Sequence, residues 1–555
     1  MRCAVRHGGR VAPPGRRASV ASPTSTGGSW SAREPRPDPV STRSWPRPSA
    51  SWRRSNPGWR PRCTPRHARL RPIACCASAS VCRPSVSTDC MPKPRIMTRC
   101  PPSGAVMEVT VERPVVGGRM LARHDGRVVL VAGAIPGEHV RVVVEQAKRD
   151  VLLAKTVEVL EASQDRRSVR GVSGCGGRTF AHVAYRRQLQ LKTDIVRDAF
   201  RRTGGLDLDE PLSVVASPER GYRMRARLHV DAERVGFLEE GSHRVCDLTN
   251  SGQLLPKTER LVERLGSQAP ALARAGVRTI ELAEDLAGDQ CVLHLPRSGD
   301  IGGAADGWRA LAEVPDVTGL TTEAEVGAVG PRVLAGAPVV TDSLASFLPS
   351  DGAGNLTLRR HAPAFFQANR YVVRELVTAV ADLVSGAEVV DLYAGVGLFA
   401  VCIAARQGGH VTAVERDSSS VPDLRSNAAL LDPVVEVVRA PVETYLKRTP
   451  RLTGASVIVD PPRAGLSREV LTRLARARPD RIVYVSCDVA TQARDLRALG
   501  LQGYCVTRVQ AFDMFPNTPH VETVVLLEQS GSPTSSPALR SPSAPARVSS
   551  ATRNN

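Results

Sequence analysis

A chain of 555 residues is too long for one ordinary core and implies two to four domains. No run of about 18 uninterrupted apolar residues occurs, which excludes a membrane-spanning helix. The net charge of +20 is unevenly spread: residues 1–100 carry 20 Lys/Arg against 3 Asp/Glu, the remaining residues 55 against 52. The body is therefore nearly neutral, and overall basicity is no argument for nucleic-acid binding; an RNA surface would have to be a local patch.

Residues 1–106 form an Arg/Pro/Ser-rich leader without hydrophobic periodicity, expected to be disordered. It lacks the apolar stretch of a secretory signal. It reads as a basic RNA-binding arm, as a transit peptide or, preferred here, as sequence upstream of a true start at Met97 or Met107. Seven of the 13 cysteines lie in this leader. The other six (Cys175, Cys246, Cys291, Cys402, Cys487, Cys505) are scattered with no C-x-x-C pair, which argues against a disulfide framework or a zinc ribbon and fits a reducing cytoplasm.

Residues 107–163 alternate like short strands: Val109–Val111, Arg127–Val131, His139–Gln146 and Leu152–Leu160, separated by Gly turns. This predicts a small β-barrel, either an RNA-binding module or a structural one. Residues 164–360 predict a mixed α+β middle region, with a helix over Ala181–Phe200 and a strand pair in Tyr222–Val235. From residue 361 to 528 strands and helices alternate: helix Tyr371–Val384, strand Glu388–Leu392, helix Leu398–Arg406, strands Val411–Glu415, Ala455–Val459 and Arg481–Val485, and helices Asp423–Leu431, Arg468–Arg476 and Thr491–Leu499. That pattern predicts a doubly wound, mainly parallel α/β sheet with its ligand site at the strands' carboxyl ends. The Ser/Pro-rich tail, 529–555, is expected to be disordered.

Four motifs carry chemistry. In Asp391-Leu-Tyr393-Ala-Gly395-Val-Gly397 an apolar strand ends in an acid, and two glycines let the backbone approach a ligand at a helix start. About 20 residues on, Glu415 closes the second strand, where a carboxylate accepts from ribose hydroxyls. Together these resemble the S-adenosylmethionine site of class I methyltransferases; another nucleotide-binding α/β domain is the alternative. Asp460-Pro-Pro-Arg463-Ala-Gly465 ends a later strand, with Arg463 where amino-group methyltransferases carry a stacking aromatic. Tyr484-Val-Ser-Cys487-Asp488 ends the next strand in a cysteine, a residue that taken alone reads as core. Finally, Asp513-Met-Phe-Pro-Asn517-Thr-Pro-His520-Val-Glu522 runs into the apolar strand Thr523–Leu527.

This series, with Phe365-Phe-Gln367-Ala-Asn369 upstream, resembles the RNA uracil-C5 methyltransferase family over roughly 107–528, in its bacterial branch with an N-terminal TRAM domain. The resemblance implies a TRAM/OB-like barrel, the α+β middle region and a C-terminal class I methyltransferase domain. It implies Cys487 as nucleophile and Glu522 as base, with Gln367, Tyr393, Glu415 and Asp460 binding S-adenosyl-L-methionine beside Gly395 and Gly397. Addition of a thiolate to uracil carbon 6 turns carbon 5 into a nucleophile for the sulfonium methyl, and a base then removes the carbon 5 proton. A locally lowered Cys487 pKa is expected, from Arg463 or a helix N-terminus. The target base must leave its stack.

Two departures stand out. Asn517 replaces the family's usual His or Gln. Many relatives also hold an iron–sulfur cluster with Cys-x5-Cys-Gly-Gly-Cys plus a distant fourth cysteine; here only Cys175 remains, Arg178 replaces the next ligand, and Ser251 sits near the expected fourth. One thiolate cannot hold such a cluster, so none is expected, nor any metal. The expected partner is ribosomal RNA, 23S rRNA above transfer RNA, because the transfer-RNA branch commonly lacks a TRAM domain. A cytoplasmic monomer without membrane association is expected. The alternatives are a transfer-RNA enzyme, an RNA-binding protein that has lost catalysis, and a small-molecule methyltransferase.

Overall fold

Strict alternation of inward and outward residues begins at β1 (Val106–Pro114), which sends Met107, Val109 and Val111 into a core. The computed structural model describes residues 102–169, 174–208, 210–248, 251–296, 311, 313–323, 330–348 and 354–530. Nearly all of the expected disordered leader and tail lies outside them. With β2 (Met120–His124), β3 (Arg127–Ala132), β4 (His139–Ala147) and β5 (Val151–Glu161), β1 closes a barrel in the order β1-β2-β3-β5-β4. Closure leaves no open sheet edge. The β2–β3 turn is Asp125-Gly126, both at positive φ, as a two-residue hairpin requires. The expected barrel is thus present. Its strand β2 escaped the sequence reading because Met120–His124 is short and ends in polar residues.

The helix expected over Ala181–Phe200 occupies Tyr185–Ala199 and continues as a π-turn, Phe200–Gly204. It is followed by β6 (Val214–Val215). The middle sheet then takes β7 (Arg225–Val230), β8 (Val235–Leu238), β9 (Val245–Cys246), β10 (Thr279–Glu284), β11 (Cys291–Leu295), β12 (Gly319–Thr322) and β13 (Arg332–Gly336) in the order β13-β12-β11-β10-β7-β8-β9. Leu261, Leu265 and Leu272, from helices Pro256–Ser267 and Ala269–Arg274, share its core with Leu228, Ile280 and Leu293. A hairpin-like pair, β14 (Val339–Ser343) with β15 (Thr357–His361), leads onward.

The C-terminal sheet comprises β16 (Glu388–Leu392), β17 (His410–Glu415), β18 (Val435–Arg439), β19 (Ser456–Val459), β20 (Arg481–Ser486), β21 (Tyr504–Phe512) and β22 (Glu522–Gln529), ordered β18-β17-β16-β19-β20-β22-β21-β6. The first five run parallel, and β22 is antiparallel to both β20 and β21. This is the doubly wound sheet expected, buried along the whole of strands such as Ser456–Val459 because helices cover both faces. β6 and helix Tyr185–Ala199, from the stretch read as the middle region, join this unit: β6 pairs with β21, and Leu191, Ile195 and Phe200 enter the core that holds Tyr484 and Leu496. Among the described residues no helix is long and apolar enough to cross a membrane.

Candidate active site

Register assembles the site before any side-chain contact is considered. Leu392 stands opposite Val414 on one side and Val459 on the other, so Tyr393, Glu415 and Asp460 fall together at the carboxyl ends of three adjacent strands. Val459 stands opposite Tyr484 in β20. Ser486 faces Thr523 across the antiparallel β20–β22 pair, so Cys487 and Glu522 meet at the next position. Five residues from four distant motifs thus line one sheet edge, at the place where an α/β sheet binds its ligand.

The turn after β16 is shaped for close approach. Tyr393, Gly395 and Gly397 have φ of 66°, 57° and 92°. At Gly397 an added Cβ would lie 2.7 Å from Leu424 Cδ1, so glycine is required for both conformation and space. Glu415 accepts from the backbone N–H groups of Gly395 (2.9 Å), Arg416 (2.6 Å) and Asp417 (2.7 Å), joining the turn to the second strand. Asp391 is fully buried beneath the turn. One carboxyl oxygen accepts from Ala400 N at 3.1 Å, the other has no protein partner, and burial followed by the charge of Asp460 pushes its pKa far up. Phe365, Phe366, Gln367, Tyr393, Gly395, Phe399 and Asp460 are among the walls of a small pocket over this turn. Gln367 donates to Asp460 at 3.2 Å, and the Arg360 guanidinium lies 4.0 Å from the centre of the Phe366 ring, fixing the segment that delivers Gln367. Apolar walls, a glycine turn and a strand-end carboxylate fit a nucleoside carrying a polar tail. A wider groove lined by Pro211, Leu212, Arg374 and Phe512 contains none of the anticipated site residues.

The electrostatics correct one expectation. The Cys487 thiol is pushed up to about 12, not lowered. Burial is the largest cause, the carboxylates of Glu522 and Asp460 add to it, and Arg463 opposes it by charge and hydrogen bond. The helix N-terminus two residues on gives little help, because the Asp488 carboxylate already caps it, accepting from Ala490 N and Thr491 N. Glu522, 3% exposed, is also pushed well up, by burial and then Asp460, with Arg463 pulling down. Burial raises Asp460 to about 7 against the opposing Gln367 hydrogen bond. His520 goes the other way, to about 4, through desolvation and then the charges of Arg463 and Lys192.

A second correction concerns the cysteines. Cys175 is joined to Cys246 as a disulfide, with Cα atoms 5.7 Å apart. This pair runs against the expectation of no disulfides, and the hydroxyl of Ser251, near the place expected for a fourth cluster ligand, donates to Glu259. Sequence distance hid the pair, because β9 brings Cys246 back beside the Gly174–Gly177 turn, where Gly176 N donates to Leu238 O. Among the described residues no group of three or more His, Cys, Asp or Glu side chains is placed to hold a metal ion. Sequence reasoning also missed Lys192, fully buried at the base of the Asp513–Glu522 loop; its placement beside Leu191, Ile195 and Val196 on the buried side of its helix was the available signal.

Comparison with known proteins agrees with this architecture. Residues 339–530 match the family model described as tRNA (uracil-5-)-methyltransferase, and residues 103–157 match the TRAM domain. The chain is 32% identical to the 23S rRNA (uracil(1939)-C(5))-methyltransferase RlmD of Halomonas elongata, over 79% of this chain and 92% of that protein. It is also 32% identical to an uncharacterized RNA methyltransferase of Thermotoga maritima, over 76% and 98% of the two chains. Among solved structures, the Pyrococcus abyssi tRNA (uracil-54, C5)-methyltransferase in complex with S-adenosyl-L-homocysteine shares the fold, with a TM-score of 0.57 and 24% identity over 76% of this chain and 99% of that one. With its barrel, its doubly wound sheet and relatives matched over nearly their whole length, the chain belongs to the tRNA (uracil-5-)-methyltransferase family of RNA methyltransferases and carries a TRAM domain ahead of its methyltransferase domain.

Proposed function

We propose that this protein transfers a methyl group from S-adenosyl-L-methionine to carbon 5 of a uridine in 23S ribosomal RNA, with Cys487 as nucleophile and Glu522 as base. The observation that carries the reading is the opposition of Cys487 and Glu522 across β20 and β22, beside Asp460. Gln367, Tyr393, Gly395, Gly397, Glu415 and Asp460 hold the cofactor, which supplies a methyl group and a positive charge.

The Cys487 thiolate forms a bond to uracil carbon 6, and the carbon 5–carbon 6 electron pair bonds the methyl group at carbon 5 as the methyl–sulfur bond breaks and S-adenosyl-L-homocysteine leaves. Carbon 5 then carries both methyl and hydrogen. The Glu522 carboxylate takes that proton, the double bond re-forms, and Cys487 leaves as thiolate. Both groups must be ionised to act, yet burial holds the Cys487 thiol protonated in the free protein and raises the pKa of Glu522. Arg463 is the cation that lowers both, and the charge of the bound cofactor adds to it. A nucleophile kept as thiol until the site fills is protected from side reactions.

Transfer RNA is the second reading, favoured by the substrate named for the Pyrococcus abyssi enzyme. The full chain is incubated with labelled cofactor and either unmodified ribosomal or transfer RNA, beside Cys487→Ala. Labelled 5-methyluridine in ribosomal RNA, lost in the variant, is the expected result. Label only in transfer RNA selects the second reading, and label on another nucleoside overturns both.

A further inference from the structure

The loop that carries Glu522 is held from behind by a single helix face. Tyr185, Gln188 and Lys192 are spaced i, i+3 and i+7 on helix Tyr185–Ala199, so they share one side of it. The Lys192 ammonium pairs with Asp513 and donates to Phe515 O at 3.0 Å. Tyr185 donates to the other Asp513 oxygen at 2.8 Å and accepts from Ser217 N at 2.7 Å. Gln188 donates to the Asn517 side chain and accepts from Asn517 N, both at 2.9 Å. From the opposite side Asn369 donates to Asp513 O (3.3 Å), Met514 O (3.1 Å) and Ser217 Oγ (2.9 Å). Lys192, Asp513, Gln188 and Asn369 are all fully buried.

We propose that Lys192 is a positioning residue for Glu522: through Asp513 and Phe515 it fixes the start of the loop whose far end places the base opposite Cys487. This rests on the function proposed above. A buried Lys–Asp pair is a poor way to gain stability, since desolvation offsets most of the attraction. It is a good way to select one loop conformation, because every alternative leaves a buried charge unpaired. Phe512 and Glu522 face each other in the β21–β22 register, so the Asp513–Val521 loop leaves and returns at one point. A shift of its first residues therefore moves the base. The charges that bear most on Glu522 are those of Asp460 and Arg463, so Lys192 acts through geometry. Cys487 follows β20 and the cofactor turn follows β16, outside this bracing. Loss of Lys192 should spare attack and methyl transfer and impair proton removal.

The test uses full-length Lys192→Met and, as a milder cut of the same network, Tyr185→Phe. Each is given uridine-containing RNA and methyl-labelled S-adenosyl-L-methionine. Turnover, cofactor affinity by equilibrium dialysis, and labelled RNA bound covalently to protein on a denaturing gel are read. For Lys192→Met, turnover should fall on the order of 100-fold, the scale of a misplaced general base. Cofactor affinity should stay unchanged, while the labelled protein–RNA adduct rises above wild type. Tyr185→Phe should show the same signature more weakly, and it carries the test if Lys192→Met does not fold. Loss of turnover with loss of cofactor binding and no adduct overturns the proposal, as does unchanged turnover. Wild-type protein is challenged in parallel with 5-fluorouridine RNA. Failure to trap an adduct there overturns the underlying reading of Cys487, a result distinct from either variant outcome.

Discussion

The protonation of Cys487 in the free protein is the most direct physical prediction. A cysteine in an unfolded chain has a pKa near 8.5 and is roughly one-tenth thiolate at pH 7.5. Held at about 12, Cys487 is thiolate in roughly one molecule in thirty thousand at that pH. Iodoacetamide reacts with the thiolate, so alkylation of Cys487 in the folded protein should be about three thousand times slower than in the urea-unfolded chain. The logarithm of the rate should rise with unit slope between pH 7 and 10. Peptide-resolved mass spectrometry isolates this cysteine from the other twelve.

The causes separate by substitution and by ligand. Arg463→Ala removes the charge and hydrogen bond that lower the thiol, so the profile moves further to the alkaline side. Glu522→Gln moves it down only where Glu522 is ionised, because burial is the larger cause. S-adenosyl-L-methionine brings a positive charge that S-adenosyl-L-homocysteine lacks at nearly equal size. The former should pull the bend of the profile to lower pH and the latter should not. A rate in the free protein within tenfold of the unfolded chain, with a plateau beginning near pH 8.5, would refute the burial argument. Equal effects of the two ligands would refute the role given to charge.

Glu522→Gln should accumulate methylated protein–RNA adduct on a denaturing gel. It should also be at least as heat-stable as wild type at pH 8: a carboxyl with a raised folded pKa loses stability as pH climbs above its unfolded value of about 4.3, and the amide removes that loss, so the difference should vanish at lower pH. Gly397→Ala places a Cβ at φ 92° and 2.7 Å from the buried Leu424, costing about 2–4 kcal/mol from strain and overpacking together, read as a lower urea midpoint. Glu415→Ala leaves three backbone N–H groups without their acceptor and should weaken S-adenosyl-L-homocysteine binding by about tenfold or more in titration calorimetry, the scale of one charged hydrogen bond.

Where the candidate site is built from strand ends, sequence was a good guide to which residues come together. Asp391, Glu415, Asp460 and Cys487 each follow an apolar run, and parallel pairing of such runs is enough to bring their ends together. In the middle sheet the strand pair expected in Tyr222–Val235 is present as β7 and the start of β8, whereas β9 was hidden by its shortness and β12 and β13 by Gly and Thr in place of a marked alternation. The direction of the Cys487 shift was illegible for a different reason. Arg463 is visible in sequence, whereas burial, the larger influence, exists only once the fold has closed around the thiol. Cys246 could not be matched to Cys175 because no local spacing links residues 71 apart.

Contacts between distant parts of the chain also tie the barrel to the loop that carries Glu522. Glu138, fully buried in the barrel, accepts from Ile135 N, Ser163 N and Arg166, and so fixes the point where the chain leaves β5. The next residue, Arg167, donates to the Asn517 side chain at 2.8 Å and pairs with Glu219. Phe180 N donates to Asn517 O at 2.8 Å, and Gly118 in the β1–β2 turn lies so close to Pro519 that an added Cβ would sit 2.5 Å from its ring. The loop bearing Glu522 is thus walled by residues some 320 to 400 positions earlier in the chain. None of these contacts has a local signature, and removing the barrel takes away those of Gly118 and Glu138 outright. Barrel deletion therefore cannot separate RNA affinity from catalysis: it would expose Pro519 and free the chain that presents Arg167. A defect in turnover after such a deletion carries a geometric part that no excess of RNA restores.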